Sequence, residues 1–175
     1  MTPSGFLATL ASWTEHANPG IKFYSGTAIY RTRCTTQLRA GATATLDLGG
    51  VADLAEVKLN GAFIGTLWQP PFRADVTRLL RAGENTLEVR VANRWINRVI
   101  GDESLPTDLT YQPEGTNKFT DGKLNQLPAW LYDRSRLSER KRFSFTTWKH
   151  YEAKSPLVPS GLLGPVKIEW QATVP

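Results

Sequence analysis

The sequence predicts an all-β fold, an antiparallel β-sandwich, and three observations carry that expectation. Several short segments alternate apolar and polar residues with period two, as a strand buried on one face requires. Turn-forming residues recur about every ten positions, the rhythm of a chain that reverses often. Few stretches show helical periodicity over a useful length.

The first 20 residues are weakly patterned. Residues 1–11 read as an N-terminal extension and 12–175 as one sandwich domain. Ser12-Trp13-Thr14-Glu15 has the residues to cap a short turn, and Asn18-Pro19-Gly20 is a turn signal. A strand is expected over residues 26–38, rich in aromatic and β-branched side chains. Cys34 shares parity there with Tyr30 and Thr32, so a buried thiol is expected. Gly41 interrupts, then Ala44, Leu46 and Leu48 alternate up to Gly49-Gly50.

The densest pattern follows. Ala55, Val57 and Leu59 fall on one face, Glu56, Lys58 and Asn60 on the other. Asn60-Gly61 best tolerates positive φ at both central positions of a type I′ hairpin. Pro70-Pro71 interrupts any ladder, since neither residue donates a backbone hydrogen bond. Asp75 is placed to cap one or two helical turns over 76–80, ended by Gly83. Leu87, Val89 and Val91 then alternate with Glu88 and Arg90.

Beyond residue 104 the signal weakens. Residues 105–126 form a long excursion rich in Pro, Gly, Asp and Thr, a length often linked to function. A short helix is expected over 129–137 and a strand over 142–148, with Phe143 and Phe145 on one face. A last strand is expected over 166–170, aligning Val166, Ile168 and Trp170. Periodicity alone leaves a jelly roll and an immunoglobulin-like sandwich both open. The single cysteine argues against the latter.

Composition excludes several classes. The chain has 175 residues, 41% of them hydrophobic, and a mean hydropathy of −0.32, enough for a real core without staples. No apolar run approaches membrane-spanning length, and no membrane partner is expected. Phe6 to Ala11 is too short, and lacks the basic leader, for a signal peptide. The expected location is secreted or periplasmic in a bacterium, with any signal peptide absent from this chain. The net charge of +5 is scattered, and no nucleic-acid reader motif accompanies it, so no nucleic-acid partner is expected. One cysteine excludes an internal disulfide and a multi-cysteine zinc site. The two histidines, His16 and His150, lie in no serine-nucleophile pattern, and no GxSxG is present.

A set of longer motifs points to a family. SGTAIYR, AEVKLNGAFIG, PPFRADVT, GENTLEVRVANRW and NRVIGD resemble the sugar-binding jelly-roll domain of family 2 glycoside hydrolases. SWTEHANPGIKFYSGTAIYRT, LWQPPFRADVT, NRWINRVIGDESLP and FTTWKHYEAKSPLVPSGLLGPVKI, in that order, are similar to the C-terminal β-sandwich of family 106 α-L-rhamnosidases. The resemblance runs from about Ser12 to Ile168. Cys34 departs from it, standing where such strands usually carry a large apolar residue. It implies a galactose-binding-like jelly roll without the catalytic barrel, which in that family holds the sugar-cleaving carboxylates and a calcium site. The expected function is a non-catalytic carbohydrate-binding or accessory module, its ligand a rhamnose-containing pectic glycan. The alternatives are a structural domain buttressing a glycosidase barrel and a small glycoside hydrolase acting alone.

Sugars offer flat apolar faces ringed by hydroxyls, which proteins meet with aromatic rings and planar polar groups. Three clusters at expected strand ends combine these: Trp68 with Arg73; Trp95 with Asn93, Asn97, Arg98 and Asp102; and Trp148 with Lys149 and His150. These ten are the candidate ligand-binding residues. If the chain packs on a barrel, the LWQPPFR and TTWKHY stretches are the expected contacts. Glycoside hydrolysis needs two carboxyl groups about 5 Å or about 6.5–9.5 Å apart. Asp102-Glu103 is the most suggestive pair, but neighbours on a strand point apart, and no catalytic residue is assigned. A structural calcium is the one cofactor to weigh, with Asp47, Asp53, Asp102 and Asp121 as candidate ligands.

Overall fold

The structure, a computed structural model, describes residues 10–115 and 117–172. The expected N-terminal extension therefore lies mostly outside the described residues, as does the end of the expected sandwich domain. The described residues form two compact units, one within residues 10–94 and 159–172, the other within residues 95–158.

The first unit is an antiparallel sandwich, as the alternation predicts. Its strands are β1 (Thr27–Thr36), β2 (Ala42–Asp47), β3 (Gly50–Ala52), β4 (Leu54–Leu59), β5 (Ala62–Leu67), β6 (Arg73–Asp75), β7 (Gly83–Ala92), β8 (Gly161–Gly164) and β9 (Lys167–Ala172). They form a four-stranded sheet ordered β1-β7-β4-β5, a three-stranded sheet β6-β2-β9 and a pair β3-β8. The alternating residues build one core: Ala44, Leu46 and Leu48 meet Ala55, Val57, Leu59, Leu87, Val89 and Val91. Phe72, Val76, Leu80 and Leu162 extend it, and Val166, Ile168 and Trp170 pack on it from β9.

Local chemistry explains the turns. Asn60 and Gly61 both take positive φ, 52° and 82°, as a type I′ hairpin requires. The Asn60 amide donates to the Leu79 carbonyl and to Asn85 Oδ1, and its oxygen accepts from the Thr86 N–H. Ser12 caps a 3-10 turn at Trp13–Glu15, and Asn18 caps the one-turn helix α1 (Pro19–Lys22). Asp75 Oδ1 accepts from the Thr77 N–H, but only one turn follows, closed by Leu79 and Leu80 N–H on the Val76 carbonyl. Gly83 begins β7 rather than ending a helix. Cys34 is half-buried, not buried, because it lies opposite Asn85 near the end of β1, past the apolar part of β7.

The second unit corrects three expectations. The run after Asn93, expected as a strand end, winds into the helix α2 (Ile96–Asp102). Residues 142–148 form no strand. Their alternation is real but inverted: Arg142 and Ser144 are buried, while Phe143 is 62% exposed. Phe145 packs edge-on against the buried Trp130, 5.6 Å between ring centroids. The helix expected over 129–137 is a pair of 3-10 segments, Ala129–Leu131 and Arg134–Glu139. Residues 105–115 and 117–126 are irregular, pinned by isolated bridges between Tyr111 and Leu124 and between Lys123 and Trp148. No helix among the described residues is long and apolar enough to cross a membrane.

Candidate functional site

The ten candidate residues divide between surface and scaffold. Trp68 follows the last residue of β5, where pairing ends, and is 68% exposed. Arg73, in the short strand β6, is held rather than free. Its guanidinium bonds Asp47 Oδ2 through Nε (2.9 Å) and Nη2 (2.8 Å) and reaches Glu169 at 3.4 Å. It thereby ties together all three strands of its sheet. The Gly49 N–H and this guanidinium hold the Asp47 carboxyl below its ordinary pKa. Asn93, just past β7, donates to the Tyr24 carbonyl and to Ser160 Oγ and accepts from the Gly26 N–H. Its amide fastens three segments of the first unit.

In the second unit, Trp95 stands at the start of α2 with 66% of its surface exposed. Half a turn later the helix faces inward. Asn97 is fully buried, and its amide closes a two-way clasp on Val158, donating to the carbonyl (2.7 Å) and accepting from the N–H (2.9 Å). Arg98 and Asp102, one helical turn apart, form a 2.8 Å ion pair. Asp102 is 1% exposed, and its Oδ2 accepts from both the N–H and the hydroxyl of Ser144. Glu103 pairs with the buried Arg142 at 2.7 Å. The ring of Phe143, between these two residues, lies under the Arg98 guanidinium, 4.8 Å from its centroid.

Sequence reasoning missed Arg142 and Ser144, because reading 142–148 as a strand put the phenylalanines inside. The i, i+4 spacing of Arg98 and Asp102 was the available signal for the helix. Asp102 and Glu103 diverge, one to Ser144 and Arg98, the other to Arg142. They do not flank a common space, as two hydrolytic carboxylates must.

Trp148 is half-buried and donates from Nε1 to the Asp121 carbonyl at 2.7 Å, while Lys149 and His150 are exposed beside it. The indole of Trp148 therefore supports the 105–126 excursion, and only its neighbours project to solvent.

The four carboxylates weighed for calcium already have partners. Asp47 is paired with Arg73, Asp53 with Arg94 and Asp102 with Arg98. Asp121 accepts from the N–H groups of Gly115 and Asn117. A guanidinium occupies the position a cation would take at the first three, so the donor sets as folded do not fit calcium. No three His, Cys, Asp or Glu side chains converge among the described residues.

Comparison with known proteins brings the family into view. The model of the glycosyl hydrolase 2 galactose-binding domain-like family matches residues 19–142. A protein of Formosa agariphila, provisionally named a beta-glucuronidase, is 45% identical over 162 residues, 91% of this chain and 13% of that protein. The solved rhamnosidase of Novosphingobium sp. PP1Y superposes with a TM-score of 0.65 at 38% identity, over 94% of this chain and 13% of that one. A beta-glucuronidase structure from Bifidobacterium dentium shares the fold, with a TM-score of 0.54 at 21% identity over 99% of this chain and 25% of that one. The chain thus spans about an eighth of the first two relatives it matches.

Proposed function

Because the chain belongs to the glycosyl hydrolase 2 galactose-binding domain-like family, we propose that it is a non-catalytic accessory module of a larger glycoside hydrolase, holding a rhamnose-containing plant glycan. One observation carries the reading: Trp68 and Trp95 leave about two thirds of their surface in water, although burial of so large an aromatic is strongly favoured. A ring kept exposed at a strand or helix end presents a flat apolar face to a sugar. The rhamnosidase relative supports rhamnose as the sugar, and the glucuronidase relative keeps other hexoses in view.

Affinity electrophoresis of this chain through gels containing rhamnose-rich pectic polysaccharide tests the reading. Retardation is expected, and Trp68→Ala or Trp95→Ala should reduce it while leaving the far-ultraviolet circular dichroism unchanged. Unretarded migration in every glycan tried would refute it.

A second reading, that the module buttresses a catalytic domain, rests on a different observation. Leu127, Leu131, Tyr132 and Leu137, within eleven residues of the second unit, are each more than 40% exposed. Apolar side chains concentrated in this way mark contact surfaces. Co-expression with the remainder of the parent polypeptide should give a stable complex that Leu131→Glu weakens.

A further inference from the structure

The outer face of the four-stranded sheet carries an arrangement that the strand-end residues do not explain. Register places Arg31 opposite Glu88, Glu88 opposite Lys58 and Lys58 opposite Phe63, one straight row across β1, β7, β4 and β5. Three strand spacings make that row about 14 Å long, the reach of two to three sugar rings. A groove of about 520 Å³ opens over its first three members, lined by Arg31, Arg33, Lys58, Gly61, Thr86 and Glu88, and Phe63 stands just beyond that lining on β5. Sites for small ligands occupy about 300–1,000 Å³.

The charges on this face do not cancel. Arg31 pairs with Glu88 at 2.7 Å, Arg33 with Glu84 at 3.7 Å and Arg90 with Glu56 at 3.2 Å. Lys58 makes no ion pair or hydrogen bond among the described residues, and the carboxylate nearest along its row, Glu88, is committed to Arg31. Lys58 is half-buried in the interior strand β4, and it acts on Glu88 only through longer-range charge attraction, because that carboxylate's hydrogen bond is taken by Arg31. Beside it Phe63 exposes 60% of its surface, on a face whose other apolar side chains, Ile29 and Leu54, stand further along the strands.

We infer that this sheet face is a binding site for a uronate-bearing oligosaccharide, its carboxylate held by Lys58 and one sugar ring lying on Phe63. One unmatched cation fits one carboxylate per site, and the exposed ring supplies the apolar face a pyranose needs. The Arg31–Glu88 pair and the Thr86 hydroxyl, next along the groove, have the donors and acceptors for sugar hydroxyls. The inference rests on the reading of the chain as a glycan-binding module, and it assigns a second surface and the charge of the sugar.

Isothermal titration of the whole chain with tetragalacturonic acid is the test, with its fully methyl-esterified form and a sulfated galactan oligosaccharide lacking uronate as the other arms. The acid should bind, more weakly as salt is raised, and the methyl ester at least about tenfold more weakly, a difference of about 1.4 kcal/mol. Lys58→Met, which keeps the length and removes the charge, should cost a similar factor, and so should Phe63→Ala. Both side chains lie on the outer face of the sheet and outside its core, so the variants should unfold close to the wild-type urea midpoint. Equal affinity for acid and ester, preference for the sulfated galactan, or wild-type binding by Lys58→Met overturns the inference. If pectic polysaccharide retards the chain and only the tryptophan variants lose that binding, the module reading stands and this one falls. If no glycan binds at all, both fall.

Discussion

Asn85 is the residue whose removal tests the account of the first unit most directly. Its side chain is fully buried between the start of β7 and the Asn60 hairpin. Oδ1 accepts from Asn60 Nδ2 at 2.8 Å and from the Arg81 N–H at 2.9 Å. Nδ2 donates to Thr36 Oγ1, the Arg81 carbonyl and the Gly83 carbonyl at 2.8–3.1 Å. Asn85→Ala removes all of these, but the losses are unequal. Asn60 Nδ2 keeps the Leu79 carbonyl, and the Arg81 carbonyl keeps the Thr36 hydroxyl. The Arg81 N–H is left without a partner, which costs about 1–3 kcal/mol, and the other lost bonds add about 1 kcal/mol net. The expected destabilisation is about 2–4 kcal/mol. Urea unfolding followed by circular dichroism should report it as a lower midpoint at unchanged m-value. Asn85→Asp sharpens the test. It keeps the acceptor, replaces the donor and puts a charge in a fully buried position facing two carbonyls, so it should be worse than alanine. A loss below about 1 kcal/mol for alanine, or a milder effect for aspartate, would refute the reasoning.

Three further outcomes are expected. Gly161 has φ of +101°, and a Cβ there would lie 2.3 Å from Trp13 Nε1 and 2.7 Å from the Tyr30 hydroxyl. Gly161→Ala should therefore separate the Trp13–Tyr30 hydrogen bond, cost at least about 2 kcal/mol, and shift the Trp13 emission to longer wavelength. The folded-state pKa of Asp47 lies below its ordinary 3.8, so its contribution is complete above that value and is lost as pH falls through the depressed one. Asp47→Asn should flatten the acid side of the stability curve below about pH 4, and an unchanged slope would contradict the pairing. Arg142→Met strands the Glu103 carboxylate, at a cost of about 3 kcal/mol. Hydrogen exchange should show faster exchange in residues 140–146, and a variant with wild-type protection there would show the ion pair to be dispensable.

The sandwich was legible because alternation reports directly which side of a strand meets the core. Ala44, Leu46, Leu48, Ala55, Val57, Leu59, Leu87, Val89 and Val91 were all identified by parity and are all buried. The second unit was not legible in this way. Its interior is held by ions and amides whose partners lie far along the chain, such as Asp102 with Ser144, 42 residues apart. A period-two reading of 142–148 sees hydrophobic and polar alternation and cannot tell which set goes in. Polarity is normally a guide, but Arg142 and Ser144 go inside because Glu103 and Asp102 wait for them. The candidate site was read in the same mixed way. Trp68 and Trp95, chosen for their rings, stand exposed in the structure, whereas Asn93 and Asn97, chosen for their sugar-like hydrogen bonding, spend that capacity inside the fold. Lys58 was placed on its strand face but not joined with Phe63, because only register sets the two side by side, and register is set across strands rather than along them.

That register contains a one-residue slip. Val57 faces Gly65, yet Lys58 faces Phe63, so Ile64 is an extra residue on β5. The slip lets Thr66 and Phe63 both point outward, three residues apart, while Ile64 and Leu67 turn to the core. β5 is also the free margin of its sheet. A regular margin of that length, carrying an exposed phenylalanine, would invite another copy of the chain to add its own strand. The bulge breaks the even spacing of unpaired N–H and C=O groups that such an addition needs. At the opposite margin, β1 presents Arg31 and Arg33 to any approaching strand. The same irregularity that brings an aromatic ring to the surface thus opposes strand addition at that margin, and deleting Ile64 should raise light scattering at temperatures where circular dichroism still shows the fold.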